Sequence, residues 1–254
     1  MQSKDIVSKI LRQKSSIVII SPHFDDAVLS CGMLMMALEG KVDVRVVNVF
    51  TTAHEGPYTL SAKKFLKDSN NESNANDLFE KRLKEDKKAL SFIKVKEIKN
   101  LGISDALFRR KSQQQLFGKF VPELNHVYPT YRFHITSSVS NTDPAMDVLR
   151  TKLQSMKKEN VVVLAPYGIG NHVDHQIVRK VCEEVFDNLI LYSDFPYNVR
   201  TNNYGEDISE YRRYELNSNI DKKKKCIEMY TSQFIGLFPD GKVPDHKEVY
   251  FAKK

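Results

Sequence analysis

Two short stretches of the chain combine histidine and aspartate at spacings that suit metal ligands. In "SPHFDDAVLSCG", His23 and Asp26 are three residues apart, and Asp25 stands beside Asp26. In "GNHVDH", His172 and His175 have the same separation. The two stretches are far apart in the chain, so only the fold can bring them together.

Side chains three positions apart on a helix or across a tight turn can point at one place. His23, Asp26 and His175 together would offer two imidazoles and one carboxylate. This is the ligand count of a catalytic zinc centre, which keeps its fourth position for water. Sites of this composition also take iron or cobalt. Asp25 then remains as a carboxylate of the type that serves as a general base, and His172 remains as a donor on the other side.

Each stretch taken alone also has a simpler interpretation. Pro and Asp form turns, so Asp25 or Asp26 could merely cap the next helix. Asp174 could be no more than an acidic residue in the first turn of a helix, where the dipole favours it. The occurrence of both stretches, each directly after a strand, favours the metal site. Among the other histidines, His54 in "TTAHEG" is a candidate substrate contact.

The apolar pattern around the first stretch predicts a βαβ unit. "SSIVIIS" is a β-branched run before Pro22, "AVLSCGMLMMAL" is apolar almost all round, and "KVDVRVVNVF" alternates and then becomes apolar. A strand, a buried helix and a second strand in this order imply a parallel sheet. The polar, Asn- and Ser-rich residues 51–77 are predicted to form a long loop.

The rest of the chain continues the alternation of helices and strands. An amphipathic helix is expected at 77–93 and a third strand ending near Gly102, while 103–140 is expected to hold one short helix and loops. The later predicted elements are helices at 143–160, 171–188 and 220–238 and strands at 161–170 and 189–197. These elements predict a single α/β domain over 1–254, with a Rossmann-like, doubly wound, mostly parallel sheet flanked by helices. In such sheets ligands bind at the carboxyl ends of the strands, where both His/Asp stretches fall.

Composition limits the partners and the compartment. The net charge of +7 suits an anionic substrate and leaves peripheral contact with an anionic membrane open, and no nucleic-acid partner is predicted. The run "KKKK" in 220–238 is interpreted as a solvated helix face. The chain shows neither a transmembrane run nor the apolar region of a secretory signal, so we expect a cytoplasmic protein. Three widely spaced cysteines indicate no disulfide framework.

The two His/Asp stretches resemble the motifs of the LmbE-like, or PIG-L, family of zinc-dependent N-acetylglucosaminyl deacetylases. "RLKEDKKAL" resembles the family's Arg-x-x-Glu helix, and "YSDFPY" and "YTSQ" resemble late motifs of a subgroup. The likeness runs from about residue 17 to the C-terminus, and its two His/Asp motifs are its most specific part. It implies an LmbE-like fold.

The resemblance also implies a role for each motif residue. The implied zinc ligands are His23, Asp26 and His175. Asp25 would be the general base, and His172 would stabilise the oxyanion or protonate the leaving amine, with Asp174 tuning it. Arg82 would bind substrate, although an exposed ion pair with Glu85 is an equally good interpretation of that helix.

Three positions depart from the family pattern without removing a ligand or the base. Phe24 stands where Pro is usual, Ala27 where Glu is common, and Met33 where a second Gly is common. Phe24 and Ala27 put the rim of the pocket, and therefore the substrate, in doubt.

The predicted activity is zinc-dependent removal of an N-acetyl group from a GlcNAc-type amino sugar or its conjugate. Its partner would be a small-molecule or glycoconjugate substrate, and the oligomeric state stays open. The alternative is a non-catalytic sugar- or nucleotide-binding module on the same fold. A two-metal phosphoesterase would want a larger carboxylate set than these stretches supply.

Overall fold

A computed structural model describes the chain over residues 5–13, 15–69, 72, 74–158, 160–200 and 208–254. Its centre is one sheet with the strand order β3-β2-β1-β4-β5-β7-β6. The strands are β1 (Ser16–Ser21), β2 (Val44–Thr52), β3 (Glu97–Ser104), β4 (Val161–Pro166), β5 (Leu189–Tyr192), β6 (Tyr211–Leu216) and β7 (Glu248–Lys253).

The first five strands are parallel, β7 runs against them, and the edge strand β6 again points in their direction. β1 pairs with β2 on one side and with β4 on the other, so the chain reverses its direction of winding at β1. β7 is antiparallel to both β5 and β6. The mostly parallel, doubly wound sheet is therefore confirmed. Its crevice lies at the carboxyl ends of β1 and β4, the switch point where ligands bind in this architecture.

Helices cover both faces of the sheet. They are α1 (Ile6–Arg12), α2 (Asp26–Leu38), α3 (Leu60–Asp68), α4 (Ala75–Phe92), α5 (Ala145–Gln154), α6 (Val173–Val185), α7 (Tyr197–Arg200), α8 (Ile220–Ile227) and α9 (Thr231–Leu237). Successive strand residues point to opposite faces of the sheet. Ile19 packs with α2 and α4 on one face, and Ile20 packs with α5 and α6 on the other. A third apolar cluster, containing Phe24, Phe79 and Phe108, supports the carboxyl-end edge. None of the helices in the described ranges has the length and apolar character needed to cross a bilayer.

The helix α2 is buried on nearly all sides, as its apolar sequence predicts. Gly32 allows this packing, because a Cβ there would lie 3.1 Å from Cγ of Lys223. The Lys223 ammonium is itself buried, 2.7 Å from Glu248 Oε1 and 2.7 Å from His246 Nε2. The "KKKK" run therefore has one member inside the core, which corrects its interpretation as a wholly solvated face.

Two other expectations about local structure are wrong. The stretch 51–77 is not a continuous loop, because it contains α3 and the start of α4, although residues 70, 71 and 73 lie outside the described part. Thr59 caps α3 by accepting a hydrogen bond from Ala62 N at 3.1 Å, a signal hidden by the polar composition around it. The helix expected at 220–238 is two helices, with a break before Thr231.

The antiparallel strands β6 and β7 were not predicted. β6 lies at the edge of the sheet and reads "YRRYEL", where only Tyr214 is buried. An edge strand of this composition lacks the apolar alternation that identifies a strand. The segment 103–140 holds 3₁₀ turns at Ala106–Phe108, Leu116–Lys119 and Pro122–Leu124 and a π-type turn at Tyr131–Ile135.

Candidate metal and active site

The two His/Asp stretches meet at the switch point of the sheet. The first follows β1 and enters α2, and the second follows β4 and enters α6, so the pairing of β1 with β4 brings them together. They line a cavity of about 310 Å³. The ring centroids of His23 and His175 are 5.4 Å apart, and those of His23 and His172 are 5.0 Å apart.

One set of three side chains has the geometry of a metal site. His23, Asp26 and His175 each offer a ligand atom within 4.8 Å of the others. Asp26 Oδ2 lies between the two rings, 3.1 Å from His23 Nδ1 and 3.3 Å from His175 Nε2. It also accepts the peptide N–H of His23 at 2.9 Å.

The opposite nitrogen of each of these rings contacts a second carboxylate. His23 Nε2 is 3.1 Å from Asp174 Oδ2, and His175 Nδ1 is 2.7 Å from Asp194 Oδ1. In metalloproteins a ligand imidazole usually donates its second N–H to such a group, which fixes the tautomer and the ring orientation. The donor set therefore fits a divalent cation between His23 Nδ1, Asp26 and His175 Nε2.

A second set, His23, His172 and Asp174, also has ligand atoms within 4.8 Å of one another. Its atoms are already engaged, however. His172 Nδ1 accepts the peptide N–H of Asp174 at 3.2 Å. The carboxylate of Asp174 accepts from Arg109 at Oδ1 and from Ala106 N at Oδ2, and it is fully buried. The first set is the better fit, because among the described residues the contact of both His23 Nδ1 and His175 Nε2 is the Asp26 carboxylate and not a peptide N–H.

The charges around the cavity favour a cation. Burial alone would lower the pKa of His23, but hydrogen bonds to Asp174 and Asp26 outweigh it and raise that pKa well above its usual value. Burial also opposes ionisation of His175, but Asp26 and Asp194 raise its pKa to about 10. The pKa of Asp26 is lowered despite burial, chiefly by His175. A bound divalent cation would replace the protons that these carboxylates now stabilise.

Asp25 does not act as a helix cap. It occupies the N-cap position of α2, but its side chain makes no capping hydrogen bond to the described residues. It is 6% exposed, lines the cavity, and has its pKa raised to about 6 by burial and by the charge of Asp26. The interpretation of Asp25 as a helix cap is therefore wrong, and its carboxyl group is part of the cavity wall.

His172 is placed as a neutral donor. It precedes α6 as its N-cap, and burial, with a further contribution from the charge of His23, lowers its pKa to about 3. Because its Nδ1 accepts the Asp174 N–H, the proton of the neutral ring belongs on Nε2. Asp174 contacts His172 through this peptide group, whereas its carboxylate orients His23. The charge of Asp174 acts to raise the pKa of His172, but burial and the charge of His23 outweigh it.

Of the two predicted substrate contacts, one lines the cavity and one does not. Arg82 is 7% exposed in the cavity wall, 5.3 Å from the ring centre of Phe65, and its Nε finds no hydrogen-bond partner within the described ranges. Glu85 is also buried, and it accepts from Thr231 and Ser232 on α9, so the exposed ion-pair interpretation is wrong. His54 lies on an exposed stretch near Arg110, away from the cavity wall.

Sequence reasoning did not identify several residues that support the site. Asp105 Oδ2 is 3.5 Å from His23 Nε2, and Asp194 holds His175. Arg109 is buried between Asp174 and Asp143. A positional signal could have found the first two: Asp105 follows β3 and Asp194 follows β5, at the same edge as the recognised motifs.

Solved structures share this architecture. Teicoplanin deacetylase in its zinc-inhibited form superposes with a TM-score of 0.73, at 21% identity, over 94% of this chain and 99% of that one. N,N'-diacetylchitobiose deacetylase from Pyrococcus horikoshii gives a TM-score of 0.51 at 14% identity, covering 98% and 90% of the two chains. These likenesses establish the LmbE-like deacetylase fold.

The sequence establishes the family. The model of the PIG-L family, described as GlcNAc-PI de-N-acetylase, matches residues 18–186, and the chain belongs to this family. It is also 25% identical over 247 residues to 2'-N-acetylparomamine deacetylase of Niallia circulans, covering 89% of this chain and 84% of that protein. The resemblance inferred from the two motifs is thereby confirmed.

Proposed function

We propose that this protein is a zinc-dependent N-deacetylase that hydrolyses the N-acetyl group of an amino sugar or its conjugate. The observation that carries the proposal is the paired orientation of the two candidate ligand rings, His23 on Asp174 and His175 on Asp194, around Asp26. Family membership supports the reaction. The relatives' substrates by name, 2'-N-acetylparomamine, teicoplanin and N,N'-diacetylchitobiose, support an N-acetyl sugar or a conjugate as the substrate class.

The metal would supply Lewis-acid polarisation of the amide carbonyl and would lower the pKa of a water molecule. Asp25 would accept the proton of the attacking water, because a carboxylate with a pKa of about 6 is ionised at neutral pH yet still basic. As the amide C–N bond breaks, the same carboxyl would return this proton to the leaving nitrogen, so that acetate and the free amine are released. His172 donates from Nε2 to the carbonyl oxygen as it gains negative charge. Arg82 supplies donors to the substrate from the cavity wall. The same ligand set would accept iron or cobalt.

The test is the metal content of the purified protein. We expect about one zinc or iron per chain in the wild type and loss of the metal in Asp26→Ala and in His175→Ala. His54→Ala is the matched control, since this exposed histidine lies away from the site, and it should retain the metal. Acetate release from N-acetylated sugars should follow the metal content across the four proteins.

Two results of the metal analysis would contradict the proposed site. If the wild type stays free of metal after incubation with zinc, or if Asp26→Ala and His175→Ala retain it, the proposed site is wrong. A metal-free protein that still binds sugars would support the non-catalytic binding module instead.

A further inference from the structure

Several large apolar side chains are largely exposed near the cavity that the two His/Asp stretches line, which we call the catalytic cavity. Leu116, Phe117, Phe120, Phe133 and Leu60 are 85%, 74%, 84%, 81% and 77% exposed. We call these five residues the apolar rim. Single exposed apolar residues are ordinary on a protein surface, but several on segments that contact one another indicate an interaction site.

The loop that carries most of the apolar rim is built to hold it outward. Asn125 is 7% exposed and closes the loop, since its Oδ1 accepts Gln115 N at 2.7 Å and its Nδ2 donates to Gln115 O at 3.1 Å. Gly118 makes room for this contact, because a Cβ there would lie 1.9 Å from Asn125 Nδ2. The exposed side chains therefore project from a closed loop with internal hydrogen bonds.

The other parts of the rim are attached to this loop and to the cavity. Leu60 N donates to Glu123 Oε1 at 2.9 Å, which joins α3 to the loop. Tyr131 N donates to Ser61 Oγ at 3.3 Å, and the Tyr131 side chain lines the catalytic cavity. A groove of about 420 Å³ between α3 and Phe133 shares Tyr131 with that cavity. The apolar rim thus borders the mouth of the candidate active site.

Basic residues accompany the apolar ones. The stretch "RRKSQQQLFGKF", residues 109–120, contains four basic residues and no acidic one, and of these only Arg109 is buried. Glu123, the nearest acid in the chain, already accepts a hydrogen bond from Leu60. Protein interfaces are depleted in lysine, whereas apolar side chains beside Lys and Arg are typical of surfaces that enter anionic bilayers.

We propose that the apolar rim docks this protein on a bilayer that contains anionic lipid. Leu116, Phe117 and Phe120 enter the headgroup region, and Lys119 contacts the lipid phosphates. Arg110 and Lys111 add positive charge beside it, while their side chains also donate to the carbonyls of Glu55 and Gly56 and of Leu124. The catalytic cavity then opens toward the bilayer surface. The docking does not depend on the proposed chemistry, so the two ideas can be tested separately.

The chain has no tryptophan, so a single introduced one reports its own surroundings. Phe120→Trp places it on the apolar rim. Phe92→Trp is the matched control. Phe92 is 41% exposed at the end of α4, just before β3 begins, and so lies near the amino ends of the strands, away from the apolar rim at their carboxyl ends. With vesicles containing about one third anionic lipid, emission of Phe120→Trp should shift to shorter wavelength and be quenched by brominated lipid. Emission of Phe92→Trp should not change.

Vesicle co-sedimentation gives the second measurement. We expect Leu116→Ser/Phe117→Ser/Phe120→Ser to lower the partition coefficient at least tenfold, and Lys111→Gln/Lys119→Gln to lower it on anionic but not on zwitterionic vesicles. Acetate release from a soluble N-acetyl sugar should be unchanged in both variants. The proposal is overturned if the wild type does not sediment with anionic vesicles, if the serine variant sediments equally well, or if sedimentation equilibrium shows that this variant dissociates a dimer.

Discussion

Replacing Asp194 by asparagine should weaken zinc binding at the proposed site by changing the tautomer of His175, while leaving the shape of the site intact. In the native structure Asp194 Oδ2 accepts two peptide N–H groups, from Gly168 at 2.8 Å and Ile169 at 2.9 Å, and Oδ1 faces His175 Nδ1 at 2.7 Å. An amide has only one acceptor oxygen, which the two peptide groups will hold. Its NH₂ then faces Nδ1, so the imidazole proton must move to Nε2, the nitrogen that faces Asp26.

The magnitude follows from the loss of this orienting carboxylate. Removal of such a partner typically costs 10–100-fold in metal affinity, which corresponds to about 1.4–2.8 kcal/mol. We expect Asp194→Asn to lie at the upper end, because the amide selects the wrong tautomer as well as removing a charge. Competition with a chromophoric zinc chelator at neutral pH measures the affinity directly. Circular dichroism establishes that the fold is retained.

The control is Asp86→Asn, another fully buried carboxyl that contacts Asn48 and Tyr230 rather than a candidate ligand. Its zinc affinity should equal that of the wild type. A folded Asp194→Asn that binds zinc within threefold of the wild type would refute both the assigned role of Asp194 and the use of His175 Nε2 as a ligand.

Three further variants test other parts of the structure. Asp25→Asn should keep its zinc but lose about 10²–10⁴-fold in turnover, measured as acetate release, if Asp25 is the base. Asp86 has its pKa raised to about 7, mainly by burial, so the unfolded chain loses this proton at lower pH than the folded one. Wild-type stability should therefore fall relative to Asp86→Asn as pH rises from about 4 to 7, by up to ~4 kcal/mol in urea unfolding, and a difference independent of pH would contradict this. Lys223→Met should cost ~3–5 kcal/mol because it leaves Glu248 buried without its cation, and adding Glu248→Gln should recover part of the loss.

The sequence predicts the central sheet well because its strands are buried on both faces. Runs such as "SIVIIS" and "VVVLAP" can satisfy their apolar side chains only inside a doubly wound sheet. The edge strand β6 and the helix α3 were not predicted, because neither has a long apolar run. β6 is defined by its ladder with β7, and α3 begins at the Thr59 cap; composition reveals neither feature.

The candidate ligands were predictable because each motif follows a strand and so lies at the carboxyl-end edge. The residues that orient them were missed, although Asp105 and Asp194 also follow strands at this edge. Their contacts with His23 and His175 join distant parts of the sequence, and their local sequence does not reveal these partners. Glu85 was expected to be an exposed ion-pair partner, but it holds Thr231 and Ser232 through three hydrogen bonds. Only the packing of α9 against α4 explains that role.

The supports of the two candidate ligand rings differ in a way that follows from the strand order. Asp194 lies after β5, and its second carboxylate oxygen accepts from the peptide groups of Gly168 and Ile169, so the orientation of His175 depends on backbone geometry. Asp174 depends on Arg109, whose guanidinium also donates to Asp143 and to Ser104 O and lies 4.6 Å from the ring centre of Phe50.

The contacts with Asp143 and Asp174 are buried and those with Ser104 O are partly buried, so Arg109 is held from several sides and keeps Asp174 ionised beside His23. The His23 side is therefore supported by a charge network anchored at the end of β3. The site is thus supported from the end of β3 on one side and from the end of β5 on the other. Asp105 and Arg109 belong to the segment 103–140, so this segment, whose local structure was poorly predicted, contributes directly to the geometry of the site.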